Sequence, residues 1–342
     1  MTNIKTKFFL NRKIYLTIIF FIILIISFIL SLILGAENLS IQKIYNNDIL
    51  KNILLVFRLP RSFLVLISGA LLAGSGTVFQ GYFRNSLADS GIIGVSSGAT
   101  LGAVLSSFLP ITFFSFLNFL ISPIVLFAFL GAVGSAFLIY LISKITNNSF
   151  QQNSSVNLLL AGSALGSFFS ALTSVIILSR DRELHKMYVW TLGSFNGKTF
   201  DDLFFILVPS VFAVYLLFLC TKKLDLISSG EKTATSLGLD VKKFRFLVLF
   251  SGSLAASCAV CSGGTIGFVG LVAPHIVRNV VSPNHKTLLP LSMLIGSSLL
   301  LISDTIARTI IAPAEIPVGV ITSLIGAPFF IYIIFSSKGK IQ

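Results

Sequence analysis

Charge is what this sequence has least of. Asp, Glu, Lys and Arg make up 11% of its 342 residues, against roughly 25% in soluble domains. A soluble chain could not cover its apolar surface with so few polar groups, which excludes a water-soluble globular fold. Cysteine is also rare, and Cys220, Cys258 and Cys261 all lie in apolar stretches. They form no even extracellular disulfide framework. The CxxC spacing of Cys258 and Cys261 lacks a second pair or a nearby histidine, so they read as small apolar residues of a helix. His185, His275 and His285 stand apart, with no pair at metal-ligand spacing. No metal site and no catalytic residue is expected. No carboxylate falls in the middle of an apolar run, which argues against a proton- or sodium-coupled carrier.

What is abundant is hydrophobic sequence, 55% of the chain. Charge-free runs mark about ten expected spans: 14–34, 62–82, 92–109, 120–141, 155–177, 203–220, 243–262, 266–281, 287–307 and 317–336. The long run 90–143 is split at Pro110 and Pro123, and the run 246–277 is broken at Gly263–Gly264. The first run, Ile14–Ala36, follows Lys5, Lys7, Arg12 and Lys13. It exceeds the roughly 7–15 residues of a signal-peptide core and reads as a retained helix. With both termini placed in the cytoplasm, 16 of the 25 basic residues fall inside, as the positive-inside rule asks. The net charge of +13 is then topology and not a nucleic-acid patch. The expected fold is an all-α integral membrane protein, one permease domain over 1–342, in contact with lipid.

The chain also repeats itself. Phe63–Ala73 reads FLVLISGALLA and Phe246–Ala256 reads FLVLFSGSLAA. These open the second and seventh spans, an odd offset, so the copies are expected to cross the membrane in opposite directions. Inverted repeats, here approximately 58–178 and 241–337, are a transporter architecture with the pathway at their interface.

The polar segments between spans carry motifs. They are Arg58-Leu-Pro-Arg61, Phe79-Gln-Gly-Tyr-Phe-Arg-Asn-Ser-Leu-Ala-Asp89, Gly91–Ala99, Trp190–Phe195, Gly230–Leu239, Gly264–Arg278, Asp304 with Arg308, and Glu315–Val320. Taken in this order on ten spans, they resemble the FecCD family, permeases of ATP-driven importers for iron–siderophores, haem and cobalamin. The likeness runs from about Leu54 to Phe335. Ser86 departs from the family, which usually has proline there.

The resemblance implies a permease subunit carrying an iron chelate of the siderophore or haem class across the cytoplasmic membrane of a bacterium. Cobalamin is the alternative cargo; a secondary transporter and a membrane enzyme are the alternative classes. It implies a second permease copy (a homodimer or a paired homologue), two cytoplasmic ATPase subunits and an extracytoplasmic substrate-binding protein. It gives Arg58, Arg61 and Arg308 to docking of the binding protein, and Asn85, Leu87, Ser155 and Val156 to a cytoplasmic gate. Read physically, Arg58 and Arg61 lie one helical turn apart; snorkelling, and for Arg308 pairing with Asp304, are the rival readings. Gly230, Glu231, Ala234, Leu237 and Gly238 would form a short helix that couples to the ATPase, with Ala234 and Leu237 as apolar anchors and Gly238 as its stop. No cofactor and no nucleic acid is expected. Gly193–Thr199 imitates a phosphate-binding loop, but it has three residues between its glycines and is expected outside. ATP hydrolysis therefore belongs to another chain.

Overall fold

A computed structural model describes residues 2–35, 37, 47–91, 93–108, 123–146, 154–179, 184–281 and 284–338. Among these the secondary structure is helical throughout. The helices are α1 (Thr2–Ile33), α2 (Asp48–Asn52), α3 (Leu59–Phe83), α4 (Val95–Leu105), α5 (Pro123–Thr146), α6 (Ser154–Leu178), α7 (Leu184–Thr191), α8 (Phe200–Ser228), α9 (Glu231–Ser236), α10 (Val241–Gly263), α11 (Val269–Val280), α12 (His285–Thr309) and α13 (Val318–Lys338).

Each of the ten expected intervals holds one of these helices. Seven helices are long and apolar enough to cross a membrane, while 95–108 and 318–333 are shorter apolar segments. The third interval was expected from residue 92, but the helix starts at Val95 after a turn at Gly94. Pro123 opens α5; Pro110 and the turn expected there lie outside the described residues.

Local chemistry sets the helix ends. Asn47 caps α2 by accepting the Ile49 N–H at 2.9 Å. A π-helical turn, Ile53–Arg58, then leads into α3, whose first turn holds Pro60. Proline has no N–H to give the preceding turn, and a π-helical turn is one way a continuous helix accommodates that loss. Thr199 and Asp202 form a capping box at α8, satisfying two orphan donors reciprocally. Asp240 caps α10 by accepting the N–H groups of Lys242 and Lys243, both at 3.1 Å.

α3 is the axis of the bundle. The most apolar window of α1 is 17% buried, but those of α3 and α10 are 78% and 83% buried. The two buried helices run antiparallel. Tyr82 Oη accepts from Arg245 Nε at 2.9 Å, and seven residues back along α3, Ser75 Oγ donates to Gly252 O at 2.8 Å. α12 is antiparallel to α3 on another side: Arg61 meets Asp304, Ser297 Oγ donates to Leu66 O, and Gly81 packs on His285.

Small residues let these helices approach closely, as they do where lipid removes the hydrophobic drive between helices. A Cβ on Gly69 would meet the Gly296–Ser297 backbone, and one on Gly76 would strike the Gly270 backbone. α4 joins α5 through Gly98, Gly102 and Gly131.

Candidate functional site

Two segments interrupt the helical packing and meet at the centre. α3 ends at Arg84, which is left-handed at φ 50, and the chain turns back over residues 85–91 and 93–94 before α4 begins. Asn85 Oδ1 accepts the Leu87 N–H at 2.9 Å, tightening this turn. α10 ends at Gly264, φ 73, and α11 starts only at Val269, leaving 264–268 non-helical. Irregular backbone at this depth is tolerated where it is covered by protein or lines a cavity.

Both interruptions line cavities. One, of about 630 Å³, is bordered by Gly91, Ser96, Thr100, Thr173, Thr191 and Thr265, among others. Its neighbour, of about 550 Å³, shares Gly91, Ser96, Thr191 and Thr265 and adds Asp89, Gly267 and Ser323. Hydroxyls dominate the polar groups on both walls. Nothing here resembles a nucleophile–base pair.

Asp89 is a buried carboxylate that the reading of apolar runs did not cover. It lies in the turn after α3, yet its Oδ1 abuts Gly270, which also packs against Leu72 and Gly76 at mid-length of α3. Asp89 is 8% exposed, and its Oδ1 is buried without a hydrogen-bond partner. The sequence placed Asp89 at a helix end because the turn's path back into the bundle carries no local signal.

Of the expected gate residues, Asn85 and Leu87 sit in the turn, with Leu87 41% exposed. Ser155 and Val156 occupy the first turn of α6; their side chains lie outside the described residues.

At the other end of α3 the three expected docking arginines are already engaged. Arg58 donates from Nη1 to Leu32 O at 2.9 Å and Ile33 O at 2.8 Å, and from Nη2 to Glu37 O. It thereby satisfies carbonyls at the C-terminus of α1, where a cation is favoured. Arg61 is bonded to Asp304 at 2.8 Å and to Glu315 at 3.0 Å. Arg308 contacts Asp304 at 3.4 Å and donates to the carbonyl and hydroxyl of Ser31. Arg58 and Arg308 are 7% and 4% exposed, so neither offers a free guanidinium. The i, i+4 pairing of Asp304 with Arg308 was legible in the sequence; the carboxylates of Asp304 and Glu315 as partners of Arg61 were not.

The coupling segment forms the expected short helix, α9. A Schellman motif closes it: Leu239 N–H bonds to Ala234 O at 3.0 Å and Gly238 N–H to Thr235 O at 2.9 Å. Gly238 takes the left-handed φ of 87 that this stop requires. One expectation fails here. Ala234 is fully buried against its own chain and cannot serve as a partner-facing anchor, whereas Leu237 is 62% exposed. Glu231 lies in the first turn.

Two of the histidines pair within the chain. His275 pairs with Asn279 at 2.9 Å and meets Phe329 edge-on. His285 Nδ1 lies 2.6 Å from Asp225 Oδ1. Among the described residues no cluster of metal-ligating side chains occurs. The segment 193–199 is a turn and helix cap: Ser194 N–H bonds to Gly263 O at 2.7 Å, and Thr199 caps α8.

The chain was compared with known proteins. A cobalamin import system permease of Halobacterium salinarum is 40% identical over 277 residues, 81% of this chain and 72% of that one. A molybdate import system permease of Haemophilus influenzae is 36% identical over 331 residues, 93% of this chain and 94% of that one. A solved structure, described as an inward-facing conformation of a metal-chelate type ABC transporter, superposes with a TM-score of 0.81. It is 34% identical and covers 93% of this chain and 97% of its own. The model of the FecCD transport family matches residues 23–336, and with these likenesses the chain belongs to that family.

Proposed function

We propose that this chain is the membrane-spanning permease of an ATP-binding cassette importer and carries a metal chelate, with an iron chelate as the first cargo to test and cobalamin as the alternative. The observation that carries this reading is the meeting of two interrupted segments, 84–91 and 264–268, at adjoining hydroxyl-lined cavities. A helical membrane protein that breaks its helices around a cavity is built to pass a solute. We read ten spans with both termini cytoplasmic and inverted repeats over about 58–178 and 241–337; the antiparallel course of α3 and α10 supports the repeat.

In this reading a second permease copy completes the pathway, two ATPase subunits dock inside and a binding protein docks outside. Cargo enters the cavities from the Thr191–Thr265 side. The Asn85–Leu87 turn, with the Ser155–Val156 end of α6, closes the pathway below. Leu237 is the apolar anchor offered to the ATPase, and α9 transmits its motion; Gly230, Glu231 and Gly238 shape that helix and Ala234 seats it. Docking of the binding protein centres on Arg61: an incoming carboxylate would compete with Glu315, which is 29% exposed. Arg58 and Arg308 act behind it by holding the surrounding backbone. This chain needs no cofactor of its own.

The test is purification of the complex from its native membrane. The expected result is a permease recovered with an ATPase and a binding protein, the latter holding a metal chelate. Recovery of an active carrier without any ATPase would overturn the reading.

A further inference from the structure

We propose that Asp89 is a positioning residue of transport, tying the Asn85–Leu87 turn to the half-helix α11 so that the two move together. The inference rests on the importer reading above.

The start of α11 sits in a cradle supplied by α3 and the turn that follows it. Gly76 packs directly under Gly270. Gln80 Nε2 donates to Gly270 O at 3.0 Å, and Gln80 Oε1 accepts from Arg278 Nη1, in the last turn of α11, at 3.3 Å. Asp89 completes the cradle: a Cβ on Gly270 would overlap its Oδ1.

Gln80 is satisfied in this arrangement, whereas Asp89 is bonded by Ser90 and Gly91 but keeps its Oδ1 unpaired. Oδ1 is sealed from solvent with no donor. Its neighbour Gly270 is in the first turn of α11, where N–H groups have no intrahelical acceptor. Phe268 accepts from Leu271 at 3.0 Å and from Val272 at 2.8 Å, and Val269 bonds to Gly267 O at 2.9 Å, but Gly270 N–H makes no backbone bond of this kind. Among the described residues, an unpaired acceptor thus lies beside the first turn of α11. A carboxylate is also the side chain that a helix N-terminus favours electrostatically.

A buried carboxylate oxygen left unpaired is unfavourable, so this arrangement is one of two. In the other, a small displacement of the turn brings Oδ1 onto the Gly270 N–H. Asp89 is four residues from Asn85 and two from Leu87. Making this bond therefore draws the gate turn onto α11, and once it is made the two move as one.

The test is ATP-driven chelate uptake by the complete importer in proteoliposomes, with ATP hydrolysis measured in parallel. Asp89→Ala should assemble with its partners, keep basal hydrolysis and binding-protein affinity, and lose about tenfold in maximal uptake. ATP consumed per chelate should rise by a similar factor. Asp89→Asn should recover most of the loss, because its amide oxygen can accept the same N–H. Gly270→Ala should lose uptake as Asp89→Ala does, and the double variant little more than the Gly270→Ala single, because removing the carboxylate relieves the closer contact of the new Cβ and leaves only that with the Leu72 carbonyl at 3.0 Å.

Normal coupling in Asp89→Ala would overturn the inference, as would multiplicative losses in the double variant. Failure of Asp89→Ala and Asp89→Asn alike to assemble would also overturn it, making Asp89 a folding residue. If the parent complex moves no chelate with ATP, the importer reading itself fails, and the inference with it.

Discussion

Five charged side chains close one end of the bundle, while the opposite end is held by separate polar pairs. At the proposed outer end, Arg61 and Arg308 bond to Asp304, Arg61 also to Glu315, and Arg58 and Arg308 hold backbone carbonyls at the end of α1. Asp304 is fully buried and shared by two arginines. At the proposed inner end, Arg245 donates to Tyr82 and His285 pairs with Asp225, and no atom is shared between the pairs. The outer charges are spent inside the chain. The inner end keeps Leu237, Lys243 and other surface groups exposed for a partner. An end that closes on itself is suited to bearing load, and an end built from independent pairs is suited to local movement.

The difference predicts how each end breaks. Asp304→Ala should be the most damaging change, costing about 3–5 kcal/mol, because it removes the buried carboxylate that two buried guanidinium groups share. Thermal unfolding in detergent measures it, and a loss below about 1 kcal/mol would mean the outer network is not a shared lock. Tyr82→Phe at the inner end should cost less, about 1–3 kcal/mol, by leaving the buried Arg245 Nε without an acceptor. Asp225→Asn should cost less still, at most about 1 kcal/mol, since Asp225 is 33% exposed and its amide oxygen can still accept the His285 N–H. Leu237→Asp should leave the unfolding temperature unchanged, because the side chain contacts solvent, yet it should release the ATPase on co-purification. Retention of the ATPase by that variant would remove α9 as the coupling element.

The sequence exposed some of this and hid the rest for identifiable reasons. Helix intervals were legible because each span is an apolar run bounded by charge, proline or glycine. The break at Gly263–Gly264 and the stop at Gly238 were legible because glycine alone takes those backbone angles without strain. The pairing of Arg61 with Asp304 was not, because 243 residues separate them and no periodicity links their positions. Asp89 was misplaced because a turn leading back into the bundle looks the same, residue by residue, as one leading out. Ala234 was taken for an outward anchor because helical spacing identifies a face without saying which side the rest of the chain covers.

The central claim is ATP-driven import through this chain, and the most direct measurement is uptake by proteoliposomes holding the permease and its ATPase. With binding protein and a radiolabelled metal chelate outside and ATP inside, the account predicts accumulation that stops when ATP or binding protein is withheld and is indifferent to proton or sodium gradients. Accumulation driven by an ion gradient in the absence of ATP would contradict it.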